Sequence, residues 1–192
     1  MNSKSKRQQI QERNRKQKTT VNLIWGGIGV VVFVIIGIVI WQIAKPAAGE
    51  AISIMADSTH IALDSDPGTY NSDPPTSGPH YAEEANAGFY ENNNYKFPAG
   101  YLVHNLEHGY VIFWYNCGLL DEAGCTSLKE QIKTTMDDLG GRKLIAYPWP
   151  SLNVPLVMTS WGRMEKFESF DANKAKAFYR ANLSRSPEPD AP

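Results

Sequence analysis

The segment from His104 to Gly109 contains two histidines four residues apart and a carboxylate, Glu107, between them. A spacing of four puts both imidazoles on one face of a helix, whose period is about 3.6, and also on one face of a strand, whose period is 2. His104 and His108 can therefore bind one ion in either structure. Glu107 shares their face only in a helix, so its role depends on the secondary structure.

The chain has four histidines in all, and a third, His80, follows a proline-rich segment. Three imidazoles and one more ligand suit zinc or copper. We predict a transition-metal site built from His80, His104 and His108. Two further ligands are predicted, the imidazole of His60 and, for copper, the thioether of Met158.

The five residues from His104 to His108 also fit the short H-x-x-E-H pattern, in which two histidines bind zinc and the glutamate activates water. That chemistry requires a helix. The flanking segments, Tyr101–Val103 and Tyr110–Tyr115, are rich in β-branched and aromatic residues, which favour strands. The sequence thus disfavours a metal-dependent hydrolase, and no residue is predicted to be catalytic.

Three segments, Tyr70–His80, Leu102–Gly109 and Thr159–Arg163, together resemble the bacterial family called Domain of Unknown Function 3105. The resemblance covers most of the chain from about His60 to the last predicted helix. It implies an extracytoplasmic domain, commonly behind a single membrane anchor. It implies no activity, so the chemistry must be inferred from the residues themselves.

Three residues are predicted to support the ligands without binding metal: Glu107, Tyr70 and Arg163. Arg163 is expected to pair with Glu107 or Asp73. A different class of function remains open, because the many aromatic residues could form a surface for another protein. In that alternative the domain is a metal-free interaction or scaffold subunit of an envelope complex, with an unknown partner.

The N-terminal region predicts a membrane anchor. Residues 1–20 form a basic tail, with seven Lys and Arg against Glu12 alone, and residues 21–44 carry no charge. A helix of that length crosses a hydrocarbon core of about 30 Å. The positive charge before the span predicts a cytoplasmic N-terminus and an extracytoplasmic C-terminal domain. A cleaved signal peptide, ending near Ala47–Gly49, is the alternative.

The remaining chain is acidic, since residues 45–192 hold 12 Lys and Arg against 19 Asp and Glu. A net charge of −7 argues against nucleic-acid binding, which needs a basic surface. The same region holds both cysteines, Cys117 and Cys125. Because disulfides persist in oxidising compartments, we predict that these two are bonded.

Hydrophobic patterning predicts one α+β domain over residues 51–183, with a linker over 45–50 and a flexible proline-rich tail over 184–192. The sheet is expected to be mainly antiparallel, with two helices. One helix begins at Thr126 or Ser127 and ends at Gly140, and the other begins near Asp171. The predicted strands are Ala51–Met55, Thr59–Leu63, Tyr101–Tyr115, Lys143–Tyr147 and Val154–Trp161.

Overall fold

The computed structural model describes residue 15, residues 22–38 and residues 48–191. The chain divides into two compact units, Met1–Lys45 and Pro46–Pro192. In the first unit, residues 22–38 form a helix, α1, whose side chains are exposed. Residue 21 and residues 39–44 of the predicted span, and most of the basic tail, lie outside the described residues. None of the described helices is long and apolar enough to cross a membrane.

The second unit is an α+β domain, as the patterning predicts, and it contains a six-stranded sheet and a separate two-stranded pair. The strand order in the large sheet is β1-β8-β7-β5-β6-β4, and β2 pairs with β3. The strands are β1 (Glu50–Ala51), β2 (His60–Ile61), β3 (His80–Tyr81), β4 (Gly88–Phe89), β5 (Val111–Tyr115), β6 (Leu144–Pro148), β7 (Leu156–Ser160) and β8 (Arg163–Phe167). The helices are α2 (Pro98–Glu107), α3 (Glu122–Asp138) and α4 (Ala172–Asn182).

The large sheet is mixed, which refines the prediction of a mainly antiparallel sheet. Strands β1, β8, β7 and β5 pair antiparallel, whereas β5, β6 and β4 pair parallel. The parallel pairing of β5 with β6 follows from the connection between them. Helix α3 crosses over from the end of one strand to the start of the next, as parallel neighbours require.

Both faces of the sheet are covered, so β5 is buried along its whole length. Val111, Phe113 and Tyr115 point to the side where α3 and α4 pack. Ile112 and Trp114 point to the other side, where α2 packs. This alternation is that of a pleated strand between two layers, and it separates two hydrophobic cores.

Helix α2 corrects the prediction of strands and a turn over Tyr101–Tyr115. Only Val111–Tyr115 is extended, and the preceding residues Pro98–Glu107 are helical. A proline in the first helical turn is well tolerated because its missing N–H would have no partner there. Leu102 and Leu106, four residues apart, are both buried against the sheet. Tertiary packing therefore makes this segment helical, although it is rich in strand-forming residues.

The other two helices agree with the predictions to different degrees. Helix α4 begins after Asp171, whose carboxylate accepts hydrogen bonds from two backbone amides of the first turn, as predicted. Helix α3 begins earlier than predicted, because Asp121 caps it by accepting from the Gly124 amide. The predicted disulfide between Cys117 and Cys125 is present. Strand β8 was not predicted.

Candidate functional site

All four histidines of the chain meet in one cluster between α2 and the β2–β3 pair. The ring centroids of His60 and His80 lie 4.8 Å apart, and that of His104 lies 5.2 Å and 5.3 Å from them. His108 lies 4.3 Å from His104 by the same measure. Positions separated by 48 residues in sequence thus share one site, and the predicted core set of His80, His104 and His108 is brought together.

Each histidine is placed by its secondary structure. Strands β2 and β3 are parallel and pair His60 directly with His80, so both side chains emerge at the same level of the ladder. His104 lies in α2 and His108 caps its C-terminal end one turn later, which brings their rings together. The backbone before His80 is held by Tyr70, whose hydroxyl donates to the Pro79 carbonyl at 2.8 Å. Tyr70 thus contacts the segment that carries His80, and its supporting role stays a prediction.

His80 and Glu107 form a hydrogen-bonded pair. The Nδ1 atom of His80 lies 2.8 Å from the Gly78 carbonyl, which only accepts, so Nδ1 carries a proton. Its Nε2 atom lies 2.9 Å from Oε2 of Glu107. A metal ion can bind between these two atoms, since both are good ligands.

His104 and His108 are buried, with 5% and 7% of their surfaces exposed, and their Nε2 atoms lie 2.8 Å apart. The Nδ1 atoms of both rings are buried without a hydrogen-bond partner. Two nitrogens bound to one tetrahedral zinc would lie roughly 3.3 Å apart, given Zn–N bonds of about 2.05 Å. The rings need to separate by only about half an ångström to bind one ion, so these residues fit a metal site.

The environment favours the neutral form of His104. Burial lowers the pKa of His104 below the ordinary value of 6.5, and repulsion from His108 and His80 lowers it further. The Tyr81 backbone and Glu84 oppose these effects but are weaker. A neutral imidazole has the free lone pair that a metal ligand needs.

Two carboxylates that were not predicted as site residues border the cluster. Glu84 lies with His104 and His108 in a group whose potential ligand atoms are all within 4.8 Å of one another. Glu188 Oε2 lies 3.6 Å from His108 Nε2. Glu84 belongs to an irregular loop and Glu188 to a proline-rich tail. Neither segment has a periodicity that places a side chain, so the sequence carried no signal for them.

The predicted flexible tail makes specific contacts with the site. The Glu188 amide donates to the Glu107 carbonyl, and the Ser184 amide donates to the Gly109 carbonyl. The Lys143 ammonium donates to the carbonyls of His108, Pro189 and Ala191. These bonds fasten the tail to the end of α2 and bring the Glu188 carboxylate to His108.

Two predicted site residues lie elsewhere. Met158 is fully buried in the core that faces α3 and α4, on the opposite side of the sheet from the histidines. Its thioether therefore does not belong to the ligand set, because alternation along β7 turns it away. Arg163 lies in β8, and its guanidinium is 3.5 Å from the Gly49 carbonyl. No ion pair joins Arg163 to Glu107 or Asp73 among the described residues.

Comparison with known proteins identifies a family. Residues 63–192 match the family model described as "Protein of unknown function (DUF3105)". No curated protein and no solved structure matches. The matched region is more than half of the chain and contains His80, His104, His108, Glu84 and Glu107. His60 lies just before it.

The lowered pKa of His104 predicts that the metal-free chain loses stability in acid. Near and below pH 6.5 the unfolded chain binds more protons at this residue than the folded chain does, so the free energy of unfolding falls as the pH falls. We expect urea titrations in the presence of a chelator to show this loss between pH 7.5 and about 5.5. The His104→Gln variant should lose less stability over that range. Equal losses in both proteins would contradict the assignment.

Proposed function

The chain belongs to the family of proteins of unknown function DUF3105, and we propose that its domain binds a transition-metal ion through the histidine cluster. One observation carries the proposal: every histidine in the chain lies in this cluster, with neighbouring ring centroids 4.3 to 5.3 Å apart. A folded domain gains no stability from collecting buried imidazoles that repel one another when protonated. Metal coordination explains why these imidazoles lie together.

The available ligands are imidazole nitrogens and carboxylate oxygens. His80, His104 and His108 form the core of the proposed site, with His60 as a fourth imidazole and Glu107 beside His60 and His80. This set suits zinc, and also copper in its divalent state. Without the Met158 thioether the set has no soft ligand for monovalent copper. Zinc or divalent copper is therefore the proposed ion.

We expect the full chain, purified without a polyhistidine tag, to contain stoichiometric zinc or copper by elemental analysis. The His80→Ala and His104→Ala variants should lose the ion. Because these two side chains are buried, either change could disturb the fold. The His60→Gln variant is the cleaner test, since 52% of the His60 side chain is exposed. It should weaken binding in chelator competition without lowering the stability of the metal-free protein.

Met158→Leu is the matched control, because it removes a predicted ligand from the opposite core at nearly constant volume. It should keep full metal content. Absence of zinc and copper from the folded wild-type chain, even after incubation with either ion, would end the metal proposal. A partner protein that co-purifies with such a metal-free chain would then favour the interaction or scaffold alternative.

Hydrolysis is the second candidate, because the residues of the H-x-x-E-H pattern lie on helix α2 or at its end. This chemistry requires a helix, and the residues are helical although their β-rich flanks favour strands. Glu107 then has the position of a general base for a metal-bound water, and zinc in such a site supplies a water of lowered pKa.

This second candidate predicts that the zinc-loaded chain cleaves a chromogenic ester or peptide faster than free zinc does. The Glu107→Gln variant should keep the zinc that His104 and His108 bind and lose roughly 10²–10⁴-fold of the rate, the usual contribution of a general base. Glu91→Gln, a change at a surface carboxylate paired with lysines away from the histidines, serves as the control. A rate equal to that of free zinc would exclude hydrolysis of these substrates.

We also propose that residues 21–44 anchor the chain in a membrane, with the domain on the extracytoplasmic side. The charge-free run and the basic residues before it support the anchor. The disulfide supports an oxidising compartment for the domain. The full chain should stay with membranes during alkaline carbonate extraction, whereas a chain without residues 1–45 should be released. Release of the full chain would contradict the anchor.

A further inference from the structure

The potential ligands of the histidine cluster form two sets of the same composition. His60, His80 and Glu107 make one set, and their ligand atoms all lie within 4.8 Å of one another. The other set consists of Glu84, His104 and His108, within the same distance of one another. The sets share no residue. Each offers two imidazoles and one carboxylate, a combination that binds zinc and other divalent transition metals with positions left for water or substrate.

The two sets are direct neighbours. The His104 ring belongs to the second set, and its centroid lies 5.2 Å from that of His60 and 5.3 Å from that of His80. Glu107 and His108 are consecutive residues at the end of α2, yet they belong to different sets. Ions held by the two sets would be near neighbours, as in two-metal centres, where the separation is about 3.5–4 Å.

One ion cannot use all of these ligands. Four imidazoles, Glu107 and Glu84 provide six donor groups, and Glu188, 3.6 Å from His108, provides a seventh. Zinc takes four or five ligands. An ion held by His60, His80 and Glu107 would leave the imidazoles of His104 and His108 unused, buried against each other with their Nε2 atoms 2.8 Å apart. A second ion would use this pair of ligands.

Charge also favours a second cation on the His104 side. Glu84 approaches from the loop between β3 and β4, and Glu188 approaches from the tail that Lys143 fastens. Glu107 provides the negative charge on the other side. The carboxylates are thus divided between the two sets, so neither ion would depend on imidazoles alone.

We propose that the cluster is a two-metal centre, with one ion bound by His60, His80 and Glu107 and a second bound by Glu84, His104 and His108. This proposal rests on the proposed metal-binding function and extends it. Such a centre would bind a ligand that bridges two adjacent divalent ions, such as water, hydroxide, or an oxygen of a phosphate or carboxylate.

The test is the number of ions bound per chain. The full chain is stripped with chelator, incubated with excess zinc, desalted and analysed for metal against protein concentration. We expect two ions for the wild type and one for Glu84→Gln. The control is Glu83→Gln, which makes the same change one residue away and should keep two. Thermal melting of each metal-free variant verifies that the fold is intact.

Each outcome distinguishes the two proposals. No bound zinc or copper would overturn metal binding altogether. One ion in the wild type would leave metal binding standing and overturn the two-metal centre. Two ions in the folded Glu84→Gln variant would show that Glu84 does not hold the second ion and would overturn the assignment.

Copper provides a readout of the distance between the ions. With two divalent copper ions per chain, the electron paramagnetic resonance spectrum should show spin coupling, because adjacent ions interact. The Glu84→Gln variant, loaded with copper, should show the uncoupled spectrum of one isolated ion. Two bound ions with no coupling would place them apart and contradict a shared centre.

Discussion

The close approach of helix α2 to strand β3 is the constraint on which the site depends. Gly100 permits it, because a Cβ atom at that position would lie 2.3 to 2.7 Å from atoms of the Tyr81 ring. Tyr81 fills the space that a side chain on α2 would otherwise occupy, and it is fully buried there. Its neighbour in β3 is His80. The contact that seats Tyr81 on the first turn of α2 therefore places His80 beside the later turn that carries His104 and Glu107.

Packing at this distance determines the electrostatics of the cluster. His80 is fully buried and His104 nearly so, and both are polar groups removed from water. Such burial is costly unless each polar atom has a partner. His80 meets this condition through the Gly78 carbonyl and Glu107, whereas the Nδ1 atoms of His104 and His108 do not. Stability alone would favour apolar residues at these two positions. Buried histidines at these positions are expected in a site that is retained for binding although it lowers stability.

The histidine pair could be predicted from the sequence even though its secondary structure could not. A spacing of four residues gives a shared face in a helix and in a strand alike, so the prediction for His104 and His108 did not depend on the choice. Glu107, three residues from His104, shares that face only in a helix. The β-rich flanks, Tyr101–Val103 and Tyr110–Tyr115, favoured strands and a turn, so Glu107 was predicted to support the ligands. Its hydrogen bond to His80 agrees with that role, which stays a prediction.

The features that could not be predicted from the sequence are long-range contacts without a periodic pattern. The parallel pairing of β2 with β3 joins His60 to His80 across twenty residues of mostly irregular chain, and no local pattern predicts such a register. Met158 shows the converse case. Its residue type suited a metal, but its place in the alternation of β7 turned it toward the other core. Residue type can suggest a metal ligand, but only the fold determines on which side of the sheet its side chain lies.

The cluster is also asymmetric in its exposure, and this bears on how a ligand would reach it. About half of the His60 side chain is exposed, at 52%, whereas His80 is fully enclosed and Glu107 is 12% exposed. On the other side, Glu84 is exposed but His104 and His108 are buried, and the tail segment around Glu188 crosses the end of α2. The tail that Lys143 holds lies beside His108. The two halves of the cluster are thus built from the same ligand types but differ in the exposure of their imidazoles.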